Sequence, residues 1–308
     1  MVRVSLMVTH SPLDGVLPRP QNKSVRFLPE NEVEVMRLLL QHRYFSEQMG
    51  GLLPASLDFS RVSRVLDVAC GVGGWVLDMA RTHPMMQVIG IDKSEFFITQ
   101  ARRMAQREEM SNATFLVQDM HHLEGEDFAP ETFDLIHLRF LAGEVTPQEC
   151  PPLLAALVRL CKPEGLLVWT ECELPMTNSP ACEQLSAMVL RGLQAAGRAF
   201  SPGSSLGITA PMRSWLSNAG CHVIQDSAAV LDISAGTPFH RSSFHQAQVF
   251  AHQVRPFLLA MEVTTETEFE EVYRGMQQEM RAETFCGLRY LRRVVEVKGR
   301  EDDPPGPL

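Results

Sequence analysis

The residues of this chain that are best placed to do chemistry follow a short apolar run at positions 65–68. Glycines at positions 71, 73 and 74 come directly after it, and a turn without Cβ atoms lets the backbone bend sharply and a ligand come close. Asp92 ends a second apolar run, where a carboxylate can accept both hydroxyls of an adenosine ribose. The spacing predicts a nucleoside site at the ends of two strands.

A dinucleotide site fits this turn less well. Its fingerprint is Gly-x-Gly-x-x-Gly, with a pyrophosphate bound at the N-terminus of a helix. Here Gly73 is followed directly by Gly74, and Asp67 precedes the turn. A carboxylate at position 67 repels a pyrophosphate and suits a cationic amino group. An NAD-linked oxidoreductase therefore stays open as a disfavoured alternative.

With three later motifs, these residues resemble the class I S-adenosylmethionine methyltransferases. The family motif acid-x-Gly-x-Gly-x-Gly matches Asp67, Ala69, Gly71 and Gly73, with alanine replacing the first glycine, and Asp92 matches the ribose acid. Residues 118–120, 133–136 and 160–166 are similar to the adenine-binding segment, the fourth strand and the turn into the fifth strand. Within the class, the chain looks most similar to the bacterial ubiquinone/menaquinone C-methyltransferase-like enzymes of small molecules.

The resemblance implies S-adenosyl-L-methionine as the cofactor. It assigns the methionine part to Asp67 and the glycine turn, the ribose to Asp92, and the adenine to Asp119 and Met120. The full expected cofactor-binding set is Asp67, Ala69, Gly71, Gly73, Asp92, Lys93, Asp119, Met120 and His137.

Methyl transfer from a sulfonium needs mainly alignment and exclusion of water, and a base only if the acceptor holds a proton that is not acidic. The candidate bases are His137, Glu144, Glu171, Glu173, His240 and His245. We expect His137 and Glu144 to be catalytic, although a histidine packed at a strand end explains His137 equally well. Expected substrate-pocket residues are Tyr44, Met49, Arg139, Phe140 and Phe244. The spacing of His240, His245 and His252 does not match a helical zinc site, so we expect no metal.

Short apolar runs alternate with amphipathic helices around these residues, which is typical of a parallel sheet with helices on both faces. We predict an α/β fold: a Rossmann-like, doubly wound, seven-stranded sheet with an N-terminal helix and helical lid inserts. The predicted divisions are an irregular arm (1–30), a cap helix (31–60), the cofactor-binding core (61–173), a lid insert (174–206), the rest of the core (207–239), a helical lid insert (240–282), a final strand region (283–298) and a flexible tail (299–308).

The composition narrows the function further. The 308 residues are 45% hydrophobic and 21% charged, which predicts a folded chain, and the net charge of −9 disfavours nucleic acid as a substrate. Seven cysteines without zinc-site spacing indicate free thiols in a reducing cytoplasm, and neither an export signal nor a membrane span is visible. An oligomer is possible but does not follow from the sequence.

The leading hypothesis is methyl transfer to O, N or C of an apolar small molecule, such as a secondary metabolite. The alternative is a noncatalytic protein that binds S-adenosylmethionine and acts as a regulator or scaffold. Consumption of the cofactor separates these two hypotheses.

Overall fold

The computed structural model describes residues 25–299, so most of the predicted arm and nearly all of the tail lie outside the described residues. The strands are β1 (Arg64–Val68), β2 (Gln87–Asp92), β3 (Ala113–Val117), β4 (Phe133–Arg139), β5 (Cys161–Cys172), β6 (Met176–Thr177), β7 (Cys221–Asp232) and β8 (Gly287–Lys298). The helices are α1 (Glu32–Gln48), α2 (Gly74–Thr82), α3 (Glu95–Arg107), α4 (Cys150–Leu160), α5 (Pro180–Ala195), α6 (Met212–Asn218), α7 (His240–Ala260) and α8 (Glu266–Glu279).

Local sequence signals explain where the helices begin. Asn31 caps α1 by accepting a hydrogen bond from the backbone N–H of Glu34. Thr265 and Glu268 form a reciprocal capping box at the start of α8. The segment predicted as one helical lid insert at 240–282 is therefore two helices, because the capping box starts a new helix after α7 ends.

A single sheet runs through the fold in the order β3-β2-β1-β4-β5-β8, with β7 on the outer edge of β8. Strands β1 to β5 are parallel, and β8 is antiparallel to both β5 and β7. The predicted Rossmann-like α/β architecture is confirmed, with helices connecting the parallel strands.

The sheet has one strand more than the seven predicted, because a two-residue strand follows β5. β6 pairs with Gly287 and Leu288 of β8, beyond Leu291, where the pairing with β5 stops. Since β7 occupies the other edge of β8, β5 and β6 share one position in the sheet. The sheet therefore has seven positions filled by eight strands among the described residues.

Buried side chains form three clusters. Two of them pack on the faces of the sheet, one mainly under α4 and α6 and the other under α2 and α3. The third joins α1, α5, α7 and α8 above one end of the sheet. The helices predicted as lid inserts thus pack together as one layer with the N-terminal helix. None of the described helices has both the length and the apolar character needed to cross a bilayer.

Candidate functional site

A cavity of about 590 Å³ lies between this helical layer and the carboxyl ends of β1 to β5. Ligand sites of open α/β sheets lie at this edge, and the volume falls in the usual range for small-molecule sites. Predicted site residues that line the cavity are Tyr44, Asp67, Ala69, Gly71, Asp92, Lys93, Asp119, Met120, Arg139, Phe140 and Glu144. Gly73, His137, Met49 and Phe244 do not line it.

The turn after β1 has the left-handed backbone that its glycines predict. Gly71 and Gly73 have φ values of 56° and 76°, and Ala69 adopts φ 54° despite its side chain. A Cβ on Gly73 would lie 2.4 Å from the ring of Phe115, so this glycine is required for packing against β3 and not for contact with a ligand. Gly73 thus shapes the turn from behind the cavity wall.

Asp92 fixes the turn to the end of β2. Its carboxylate accepts hydrogen bonds from the backbone N–H of Gly71 at 2.9 Å and of Ser94 at 2.8 Å. Burial raises the pKa of Asp92, while these two hydrogen bonds lower it. A carboxylate held in this way on the cavity wall can accept hydrogen bonds from the hydroxyl groups of a ribose.

Asp67 contacts the buried side chain of His137 on the side away from the cavity. The imidazole Nδ1 lies 2.7 Å from Asp67 Oδ1, and the ring stacks on Trp75 with 3.9 Å between centroids. Burial lowers the pKa of His137 to about 4, although the bond to Asp67 acts in the opposite direction. His137 is therefore a neutral, buried side chain that orients Asp67. The sequence led us to expect His137 in the cavity, but it does not line it.

A second histidine network lies beside the first. His42 on α1 is 2.8 Å from Asp78 on α2 through Nε2, and its Nδ1 is 2.9 Å from the Arg139 guanidinium. The Arg139 side chain ends β4 and lines the cavity, and burial lowers its pKa. These contacts tie α1 to α2 and to the end of β4, so the N-terminal helix is part of the site.

Next to the end of β3, the cavity is lined by Gln118, Asp119 and Met120, and by Phe97 of α3. At the rim, Lys93 and Glu144 form an ion pair at 2.8 Å with both side chains partly exposed. Carboxylates at the ends of three neighbouring strands, Asp67, Asp92 and Asp119, thus follow one wall. This wall suits a ligand with a cationic group, ribose hydroxyls and a hydrogen-bonding base, which is what S-adenosylmethionine offers.

Away from this wall, the cavity continues into a chamber that is mostly apolar. Its lining includes Leu185, Val189, Leu193, Phe250, Met276 and Phe285, which come from α5, α7, α8 and the segment before β8. Tyr44 closes it from α1, with its hydroxyl 2.9 Å from Ser243 Oγ. An apolar chamber joined to a polar wall can hold two ligands side by side.

The structure corrects two predicted pocket residues. Met49 borders a separate small pocket that it shares with His137 and Trp75, because it lies at the end of α1 below Phe45. The Phe244 ring packs against the helical cluster, and the guanidinium of Arg281 lies 5.3 Å from its centre. The neighbouring Ser243 and Ala247 line the cavity instead.

Polar residues that line the cavity and that the sequence did not reveal include Glu34, Arg37 and Arg289. Glu34 and Arg37 lie one helical turn apart on the face of α1 that carries Tyr44, so helical spacing was the available signal. Arg289 had no such signal. Among the predicted bases, His240 binds the carbonyl of Ile233 outside the cavity, whereas Glu171 and Glu173 line it.

Comparisons with known proteins agree with this geometry. Residues 60–201 match a family model described as "Methyltransferase domain". The secondary metabolism regulator laeA of Coprinopsis cinerea is 28% identical over 47% of this chain and 35% of its own length. The N-methyltransferase gliN of Aspergillus fumigatus is 25% identical over 71% of this chain and 76% of its own. The 23S rRNA (uracil(1939)-C(5))-methyltransferase RlmD of Xanthomonas campestris is 32% identical over 35% of this chain and 25% of its own.

The fold has a counterpart among solved structures. A chain from the complex of the Haloferax volcanii Trm112 methyltransferase activator with a candidate methyltransferase superposes with a TM-score of 0.52 and 16% identity, covering 90% of this chain and 100% of that one.

The present chain spans only about a third of the length of the laeA relative and a quarter of the length of the RlmD relative. The matched segment ends before α6, so α1, α7, α8 and β8 lie outside it.

Proposed function

We propose that this protein is an S-adenosylmethionine-dependent methyltransferase that transfers a methyl group to O, N or C of an apolar small molecule. The observation that carries the proposal is a single cavity in which a wall of three strand-end carboxylates meets an apolar chamber. The wall lies in the segment that matches a methyltransferase domain. The chamber supplies the space for an acceptor.

S-adenosyl-L-methionine is the cofactor of this reaction, and when bound it supplies a methyl group on a sulfonium whose sulfur leaves as a neutral thioether. Asp92 would accept hydrogen bonds from the ribose hydroxyls, and Asp119 with the backbone of Met120 would bind the adenine. Asp67, oriented by His137, would bind the cationic amino group. The glycine turn from Gly71 brings backbone close to the ligand without side chains between them.

The helical layer aligns the acceptor and excludes water, which is the main catalytic contribution that methyl transfer requires. The helices of the two lid inserts, α5, α7 and α8, close the chamber together with α1. Glu144 lines the cavity, and we propose it as the general base for substrates whose nucleophilic atom carries a proton. His137 is proposed as a positioning residue.

The N-methyltransferase relative, which matches over most of its length, supports nitrogen as the acceptor atom. Carbon stays a second choice, in line with the resemblance to quinone C-methyltransferases. We also propose a cytoplasmic location without nucleic acid as substrate, supported by seven free thiols and an acidic net charge.

Calorimetric titration with S-adenosylmethionine, S-adenosylhomocysteine and NAD tests the proposal. We expect micromolar binding of the first two ligands and none of NAD. Asp92→Ala should weaken S-adenosylhomocysteine binding by about tenfold or more, since two hydrogen bonds to a charged acceptor are lost. Asp58→Ala, which removes an exposed acid, is the matched control. If the unaltered protein, Asp92→Ala and Asp58→Ala bound S-adenosylhomocysteine equally well, Asp92 would not be part of the cofactor site.

A noncatalytic role is the second candidate, because one relative is a regulator of secondary metabolism. Incubation with methyl-labelled cofactor and a panel of apolar amines, phenols and amides separates the two roles. Transfer of label to any acceptor establishes the enzyme. Tight cofactor binding with no label transferred to any member of the panel, and no thioether released, favours the regulator.

A further inference from the structure

Acidic side chains in the apolar chamber are already occupied or neutral. Glu34 holds Arg37 through two contacts, at 2.7 and 2.5 Å. Glu173 accepts hydrogen bonds from the backbone of Gly207 and from the hydroxyl of Thr209. The chamber therefore offers neither of these carboxylates to another cation.

Glu171 is the third carboxyl group on this side. Its Oε1 accepts from the indole N–H of Trp169 at 2.8 Å and from the backbone N–H of Leu141 at 2.7 Å. Burial raises its pKa to about 8, so the group is mostly protonated at neutral pH. It cannot serve as an anion for a neighbouring guanidinium.

Arg289 is a cavity-lining cation whose side chain has no hydrogen-bond or ion-pair partner among the described residues. It lies near the start of β8, lines the cavity, and places its guanidinium 5.8 Å from the ring centre of Phe45. Within residues 25–299 its side chain makes no hydrogen bond or ion pair, and the Nε atom is buried without an acceptor. The ring face supplies no hydrogen-bond acceptor, so the buried Nε–H stays unsatisfied, at a cost in free energy, unless a ligand in the cavity accepts from it.

We propose that Arg289 binds a carboxylate of the methyl acceptor, which makes the substrate class an apolar molecule that carries a carboxylate group. This inference rests on the proposed function. A planar guanidinium with several N–H donors matches a carboxylate in a two-pronged arrangement, which explains an arginine at this position.

The cofactor also carries a carboxylate, and the sheet order argues against that source. Arg289 is on β8, three strand positions from β1, which carries Asp67, and four from β2, which carries Asp92. Neighbouring strands are about 4.8 Å apart, so β8 is roughly 14 Å from β1. The anion site thus belongs to the chamber side of the cavity and not to the carboxylate wall.

The test uses a matched pair of probes, 2-naphthoate and 2-naphthamide, which share their shape and differ in charge. Binding is measured by fluorescence at neutral pH, with and without saturating S-adenosylhomocysteine. We expect the protein to prefer naphthoate by about tenfold or more, because a charge-assisted pair replaces a neutral contact. Arg289→Gln should abolish the preference, and Arg289→Lys should retain part of it.

Arg292→Gln is the control, since Arg292 lies on the same strand but pairs with Asp226 and does not line the cavity. It should keep the full naphthoate preference. Equal affinity for the two probes, no binding of either, or an equal loss in both glutamine variants overturns the proposal. A further outcome would also overturn the proposal: Arg289→Gln binds S-adenosylhomocysteine more weakly but keeps the full preference for naphthoate. Arg289 would then bind the cofactor and not the methyl acceptor.

The two proposals fail in different ways. Absence of cofactor binding by the unaltered protein would defeat the proposed methyltransferase. The probe preference measured without cofactor would still report whether Arg289 forms an anion site in the chamber.

Discussion

At the level of single residues, the pair of Asp67 and His137 couples the carboxylate wall to the core. Both side chains are almost fully buried and bonded to each other. Replacing the histidine leaves a buried carboxylate without this partner, and the cost of an unsatisfied buried group is about 1–3 kcal/mol. The position is therefore expected to affect stability and ligand affinity together.

His137→Leu should lower the free energy of unfolding by about 2 kcal/mol at pH 7, measured by urea titration, and weaken S-adenosylhomocysteine binding. The folded pKa of His137 is about 4, below the ordinary 6.5, so the unfolded chain binds the extra proton and stability falls as pH drops from 6.5 towards 4. The variant should lose part of that pH dependence. Unchanged stability with unchanged cofactor affinity would contradict the positioning role.

Glu296 gives a second residue-level prediction. It is fully buried on β8, neither carboxyl oxygen has a described partner, and burial raises its pKa to about 8. An acid whose folded pKa is raised contributes stability below its ordinary pKa of 4.5 and loses it as pH rises to about 8. Glu296→Gln should therefore raise the free energy of unfolding by about 2 kcal/mol at pH 8 and change it little at pH 4.5.

Urea unfolding at the two pH values measures this difference. Glu283→Gln, an exposed acid, should show the same small change at both. A stabilisation by Glu296→Gln that does not vary with pH would show that Glu296 is not protonated on folding.

At the level of elements, the turn from β1 into α2 must satisfy both the backbone and the packing. Gly73 and Gly50 share a φ of 76°, but only Gly73 has a neighbour where a Cβ would stand, the Phe115 ring at 2.4 Å. Gly73→Ala should therefore destabilise the fold by about 1–3 kcal/mol more than Gly50→Ala, since overpacking adds to the same backbone strain. Urea titration of the two variants checks this, and equal losses would refute it.

Much of the carboxylate wall could be predicted from the sequence, because its residues lie at the ends of strands that local sequence patterns identify. Asp67, Gly71, Asp92 and Asp119 all lie where their spacing predicts, on one edge of the sheet. His137 differed because its surroundings depend on a side chain that reaches it from α2. No local pattern shows that Trp75 covers it.

The chamber could not be predicted in the same way, since residues far apart in sequence form it. Arg289 faces Phe45 across more than two hundred intervening positions, and no periodicity connects them. The lid helices were predicted, but the face that each turns to the cavity depends on packing. Ser243 and not Phe244 is turned inward on α7 for this reason.

At the level of the whole molecule, the cavity has two parts that can be altered separately. Ser186 of α5 lines the chamber, whereas Ala195 on the same helix is exposed. Ser186→Phe should fill part of the chamber and weaken 2-naphthoate binding by about tenfold, while S-adenosylhomocysteine binding stays within about twofold. Ala195→Phe should change neither. Parallel losses of both ligands in Ser186→Phe would mean that the two parts are one site.

The N-terminal helix begins 28 residues before the matched domain and still supplies a wall of the chamber. Further parts of the chamber come from α7, α8 and β8, which follow the matched segment, whereas α5 lies inside it. The matched segment therefore contains the whole carboxylate wall, whereas the chamber is assembled from stretches of the chain that lie before, within and after that segment.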